Sequence, residues 1–329
     1  MTFKNIMFPV DFSDYSRALN PEVEYLAQRF NSDVMLLHVF EIPFTWYGSG
    51  DAPLMDADCL QQYIEGQKRC LNDYRINVPE NRVQRILAQG DVAWQIKTFA
   101  DENAVDLVII GTHGYGAVRR LLLGSVAMKV LHDVSWPVWT HFPEKMNGAG
   151  SFAGVKKILC ALDLNEEAVP LLRFISDLAN SFEASVRLIH SVPGNELQLH
   201  QNFDNDLYRF LAKIADEEIA KLQQEAGTHF NVDLLSDGIG EATAILAGQE
   251  GADLVVIGRG KAQSRFGMLR THSYNIIRQG HCPVLSYCVP EQAIISKGTS
   301  AAVSDHEILT TRSREPSGML VLKTAAQII

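Results

Sequence analysis

The sequence lacks long hydrophobic runs, an excess of positive charge and any ordered cysteine pattern, and each absence removes a class of protein. Its most apolar stretches, 107–110 and 254–257 with their flanks, fall far short of the roughly 18 residues a bilayer-crossing helix needs. Lys and Arg total 29 against 39 Asp and Glu, a formal net charge of −10. No overall basic field is therefore available to hold a nucleic-acid backbone or an anionic membrane surface, so neither is expected as a partner. The five cysteines, Cys59, Cys70, Cys160, Cys282 and Cys288, form no CxxC pair, which fits reduced thiols. His281-Cys282 with Cys288 meets no zinc-ligand spacing, so no metal site is expected from protein ligands alone. The first residues run into a strand-like stretch ending at Asp11 without the charged and apolar regions of an export signal, and the expectation is a cytoplasmic protein.

Several catalytic signatures are also missing. No Gly-x4-Gly-Lys-Ser/Thr loop occurs, which excludes the ordinary P-loop ATPase mechanism. No Gly-x-Ser-x-Gly elbow occurs, and no nucleophile-base pair stands out. Gly238-Ile239-Gly240-Glu241-Ala242-Thr243 half-matches a dinucleotide fingerprint but lacks its last glycine, and it reads as a turn packed against a helix start. What is present is a globular composition. With 47% apolar and 21% charged residues, a chain of 329 residues has the material for two domains of ordinary size.

Internal similarity supplies the organisation. Asp106-Leu107-Val108-Ile109-Ile110-Gly111 recurs 147 residues later as Asp253-Leu254-Val255-Val256-Ile257-Gly258. Asn5 to Asp11 matches Lys157 to Asp163, Leu36-Leu37-His38 matches Leu188-Ile189-His190, and Trp136-Pro137-Val138 matches Cys282-Pro283-Val284. Two copies in one order mean a duplicated domain, because a solenoid needs at least about three short repeats. The units run over 1–144 and 155–290, joined by a linker over 145–154 that is rich in glycine and small polar residues. Residues 291–329 have no counterpart in the first copy and read as a poorly ordered tail, with Leu320 to Leu322 a candidate for one more strand.

In each copy short Val/Ile/Leu-rich runs alternate with longer amphipathic stretches, the pattern of βαβ units. The expected fold is α/β, two tandem Rossmann-like domains, each a five-stranded mostly parallel sheet with helices on both faces. Pro21 falls inside the first expected helix, over 14–30, which must kink there or start late. In such sheets ligands bind outside the carboxyl ends of the strands, near the point where strand order reverses. That rule selects Pro9-Val10-Asp11, His38-Val39 and Gly111-Thr112-His113-Gly114, with Gly124-Ser125-Val126 opening the next helix. Glycine lets a backbone approach a ligand closely, and a helix N-terminus with a hydroxyl attracts phosphate. His38, near a buried strand end, reads as a hydrogen-bonded structural residue.

The spacing Gly111-x2-Gly114-x9-Gly124-Ser125 resembles the nucleotide-binding motif of the ATP-binding branch of the universal stress protein family. Pro9-Val10-Asp11-Phe12-Ser13, Leu37-His38-Val39 and Trp136-Pro137-Val138 resemble the family's first strand and loop, second strand end and last strand. The resemblance implies an adenine nucleotide, ATP with Mg2+, in the first domain. Asp11 would then hydrogen-bond the ribose, and Val39 would hold the adenine with help from Pro9 and Val10. Gly111, His113, Gly114, Gly124, Ser125 and Val126 would surround the phosphates. Read from the residues alone, Asp11 is either a ribose ligand or a helix cap, and His113 either a phosphate contact or a solvated loop residue.

The second copy departs from the motif. Gly258-Arg259-Gly260-Lys261 stands where Gly111-Thr112-His113-Gly114 stood, Arg270-Thr271 replaces Gly124-Ser125, and Ser191 replaces Val39. Long side chains at two close-approach positions imply a degenerate site. The resemblance implies regulatory nucleotide binding in a stress response, with protein partners unidentified. A slow ATPase or phosphotransferase in which His113 or Asp11 orients water, and a ligand-free interaction scaffold, are the alternatives. It also implies pairing through the last strands, here available within one chain as Val138-Trp139-Thr140 with Val284-Leu285-Ser286, and leaves a homodimer of the whole chain open.

Overall fold

A computed structural model describes residues 2–42, 57–112, 123–141, 152–192, 201–236, 238–259, 271–289 and 319–322. In the first half β1 (Asn5–Pro9), β2 (Asp33–Phe40), β3 (Val83–Gln89), β4 (Leu107–Gly111) and β5 (Val138–His141) are all parallel, in the order β3-β2-β1-β4-β5. In the second half β6 (Lys157–Ala161), β7 (Ser185–Ser191), β8 (Asn231–Leu235), β9 (Leu254–Arg259) and β10 (Val284–Cys288) repeat that order. The two sheets are one. β5 and β10 pair antiparallel, Val284 opposite Thr140, Leu285 opposite Trp139 and Ser286 opposite Val138.

The order reverses between β1 and β4 in the first half, the place at the carboxyl ends of the strands where open α/β sheets take their ligands. The candidate strand Leu320 to Leu322 is present as β11 (Met319–Leu322), antiparallel to β3, so the sheet has eleven strands. The other tail residues lie outside the described ones.

The expected helix over 14–30 is two helices, α1 (Asp14–Ala18) and α2 (Asn20–Phe30). Pro21 stands in the first turn of α2, where its missing N–H costs nothing and its fixed φ suits a helix start. The remaining helices are α3 (Ala57–Asp73), α4 (Val92–Glu102) and α5 (Ser125–Asp133), then α6 (Ala168–Phe182), α7 (Gln201–Ala226), α8 (Ile239–Glu250) and α9 (Thr271–Gln279). The apolar residues of α2 and α6 join one core with Phe8, Trp139 and Leu285, while those of α4, α5 and α9 join a second core on the opposite face of the sheet. Both cores run across the join, because the strands nearest it, β4, β5, β9 and β10, are buried on both faces and each face needs helical cover.

Polar groups also tie β5, the strand at the join, to its own half. The carboxylate of buried Glu22, on α2, accepts from Trp139 Nε1 through Oε2 and meets His141 Nδ1 through Oε1. A carboxylate out of water needs such partners, and charge-assisted bonds are about twice as strong as neutral ones. Of the expected linker, residues 152–154 are described and docked: Phe152 packs edge-on against Trp139 and Tyr25. Gly154 has φ of +94°, and a Cβ there would stand 2.9 Å from the Tyr25 ring, so only glycine fits.

Replacing Trp139 by Phe keeps most of the apolar volume but removes one donor from a buried carboxylate. The expected loss is about 1–3 kcal/mol of folding stability, read from the midpoint of urea unfolding at constant slope.

Candidate functional site

At the carboxyl end of β1 the chain turns sharply. Asp11 Oδ1 accepts from the Ser13 N–H at 3.0 Å and from the Ser13 hydroxyl at 2.5 Å. Ser13, not Asp11, caps α1, its hydroxyl accepting from the Ser16 N–H at 3.2 Å. The capping reading of Asp11 is thereby corrected, and among the described residues Asp11 Oδ2 has no hydrogen-bond partner. Phe12 between them has φ of +62°. A bulky residue in the left-handed region costs about 1–3 kcal/mol and persists only where the surroundings impose it. Here they are the Asp11–Ser13 bonds on one side and the His38 ring on the other, with ring centroids 4.1 Å apart.

His38 anchors this turn to β2. Its Nδ1 lies 2.7 Å from the carbonyl oxygen of Val10, so Nδ1 carries the proton and donates, while Nε2 meets Gln67 on α3 at 3.0 Å. The Val10 N–H in turn donates to the Leu37 carbonyl at 2.9 Å. Burial pushes the His38 pKa below the ordinary imidazole value, against the raising effect of the bonds to Val10 and Gln67. The ring works as a structural donor that ties the Val10 carbonyl to β2. The second half repeats the device, His190 Nδ1 meeting the Leu162 carbonyl at 2.8 Å.

Val10 and Val39 are buried, and Pro9 ends β1 half-buried. Beside β1, Gly111 ends β4, and the carbonyl of the next residue, Thr112, accepts from the Gly124 N–H at 2.7 Å. That bond brings the start of α5 to the end of β4, with Ser125 exposed at its first position and Val126 half-buried. The structure therefore brings Asp11, Gly111, Gly124 and Ser125 to the carboxyl ends of adjacent strands β1 and β4, with Val39 one strand further on β2. His113 and Gly114 lie outside the described residues.

The second half is built differently at the same places. There the turn after β6 is closed by the Asp163 carbonyl, which accepts from Asn165 N–H at 3.0 Å, and by the Asn165 side chain, which accepts from Glu167 N–H at 2.9 Å. Polar Ser191 ends β7 where Val39 stands on β2. Lys261 and Arg270 lie outside the described residues. Among the described residues no group of three or more His, Cys, Asp or Glu could hold a metal ion, and no helix is long and apolar enough to cross a membrane.

The universal stress protein family profile matches residues 2–140 and 154–287, once for each half. The chain belongs to the universal stress protein family. Among relatives, Universal stress protein MJ0531 of Methanocaldococcus jannaschii is 27% identical over 141 residues, 41% of this chain and 80% of its own. A universal stress protein structure from Archaeoglobus fulgidus covers 87% of this chain and 99% of its own at 19% identity, with a TM-score of 0.63, which shows the shared two-domain fold. A second structure from that organism, solved in complex with dAMP, covers 40% of this chain and 96% of its own at 23% identity and a TM-score of 0.30.

In this universal stress protein, buried Glu22 carries no spacing pattern in the sequence, and Arg259 stands out there only as part of the altered second-half motif, with nothing to show which carbonyls it reaches. Asp106 and Asp253 are different. Each accepts from two successive N–H groups at the start of β1 or β6, at 2.8 and 2.9 Å in both halves, and its recurrence in the duplicated motif was the available signal.

Because the folded pKa of His38 lies below its unfolded value of 6.5, its contribution to stability is intact above that pH and is lost as pH falls from there through the lowered folded value. His38→Asn keeps a donor for the Val10 carbonyl and does not titrate. Denaturant midpoints between about pH 8 and pH 5 should fall less steeply for this variant than for the wild type.

Proposed function

We propose that the first half binds an adenine nucleotide, ATP with Mg2+, and that the bound state, rather than turnover, is what the protein presents to regulatory partners during a stress response in the cytoplasm. The observation that carries the reading is the meeting, at the strand-order reversal, of a carboxylate, an apolar strand end and a helix N-terminus. Asp11 Oδ2 is the acceptor for ribose hydroxyls. Val39, with Pro9 and Val10, is the apolar wall for the base. Gly111, His113, Gly114, Gly124, Ser125 and Val126 supply N–H groups and a hydroxyl to the phosphates. Glycine at 111, 114 and 124 keeps Cβ atoms out of the approach.

The donor set fits Mg2+ held mainly by phosphate oxygens and water, since Mg2+ dehydrates reluctantly and needs only one or two protein carboxylates. Asp11 is the nearby candidate. When bound, the ion would neutralise phosphate charge. The second half, with Ser191 for Val39 and Lys261 and Arg270 at the close-approach positions, has a degenerate site. Pairing of β5 with β10 is met within one chain, so the reading needs no second copy.

Isothermal titration of the full chain with ATP-Mg should give one site in the micromolar range, with little phosphate released over hours. Gly114→Lys, which copies the second half, should abolish binding, and Asp11→Ala should weaken it about tenfold through one lost charge-assisted hydrogen bond. An unchanged affinity in Gly114→Lys would sink the site assignment, and steady phosphate release would replace the binding reading with an enzymatic one.

A further inference from the structure

We propose that Arg259 is a positioning residue for the nucleotide site of the first half, acting through α5, so that the second half sets how tightly the first half binds; the proposal rests on the nucleotide reading above. Arg259 ends β9 of the second half, is 5% exposed, and reaches into the first. Its Nη1 donates to the main-chain carbonyls of Leu131 and, at 2.7 Å, Val134, while Nη2 donates to Trp136 at 2.6 Å. Leu131 lies in the last turn of α5 and Val134 is its C-cap.

A helix leaves its last carbonyls without intrahelical partners and carries a partial negative charge at that end. One guanidinium fork from the other half of the molecule answers both needs. No hydrogen-bonded carboxylate accompanies it among the described residues, and its Nε has no hydrogen-bond partner there. Burial pulls the guanidinium pKa down to about 10, which leaves it a cation at neutral pH. A buried cation whose hydrogen bonds among the described residues all go to carbonyls of one segment has few favourable positions, so it fixes the helix end that it holds.

The opposite end of α5 is held by its own half, through the Gly124 N–H on the Thr112 carbonyl. The nine residues of α5 span about 13.5 Å, with the phosphate end of the first site at one terminus and Arg259 at the other. This follows from the antiparallel join: the carboxyl end of β9 lies at the end of the sheet where α5 finishes. Thr112 occupies the duplicated position of Arg259, so the guanidinium is particular to the second half. N–H groups at the start of α5 hold phosphate only within hydrogen-bond length, and a small slip of the helix along its axis lengthens them together.

The test is an ATP-Mg titration of the full chain in four forms. R259M removes the guanidinium and keeps an aliphatic stem, and it should bind about tenfold more weakly than the wild type, a usual size for coupling between sites. R259K keeps the charge without the planar fork and should fall between them. T140V deletes the hydroxyl bond to the Val284 carbonyl at 3.1 Å across the same join without touching α5, and should bind as the wild type does. Amide exchange supplies a second readout: ATP-Mg should slow exchange in β9 of the wild type and not of R259M.

Wild-type affinity in R259M overturns the proposal, as does an equal loss in T140V, which would mean general loosening of the join. If R259M fails to fold, R259K decides, and unchanged affinity there overturns it. A wild type that binds no ATP overturns the nucleotide reading and this assignment with it. A wild type that binds, paired with indifferent Arg259 variants, overturns this assignment alone.

Discussion

The antiparallel pairing of β5 with β10 is the constraint on which the rest of the molecule depends. A single parallel half would leave the edge of β5 unpaired, with a row of N–H and C=O groups facing water beside fully buried Trp139. Duplication within one chain gives that edge a partner at fixed distance. The side chains agree with the pairing, since the Thr140 hydroxyl donates to the Val284 carbonyl and the Ser286 hydroxyl to the Val138 carbonyl, each across the join. Arg29, whose guanidinium meets Glu183 at 2.7 Å, adds an exposed ion pair between α2 and the end of α6, worth little beside the buried contacts.

The duplicated architecture was legible because strands buried on both faces read as continuous Val/Ile/Leu runs and because the copies repeat their order. The start of α5 followed from Gly124-Ser125, whereas the Asp91 side chain that caps α4 shows only in the structure. The break between α1 and α2 was legible only as an ambiguity, since Pro21 disturbs an interior helix and suits a helix start equally well, and the position of the cap decides between them. That Ser13 caps while Asp11 braces the turn could not be read from sequence, because both residue types do both things.

The rule that ligands meet strand ends selected Asp11, Gly111, Gly124 and Ser125, and the fold gathers them at the carboxyl ends of the interior strands β1 and β4. What sequence reading could not supply was the strain at Phe12 and the role of His38 beneath it, which depend on a contact between β1 and β2. The partners of Glu22 and Arg259 were illegible for a related reason. Each makes its bonds to residues more than a hundred positions away, and no local pattern announces a partner at that separation.

Because β5 and β10 run in opposite directions, the carboxyl ends of the first five strands and of the second five emerge on opposite rims of the same sheet. The two rims therefore face opposite ways, and whatever sits at one leaves the other uncovered.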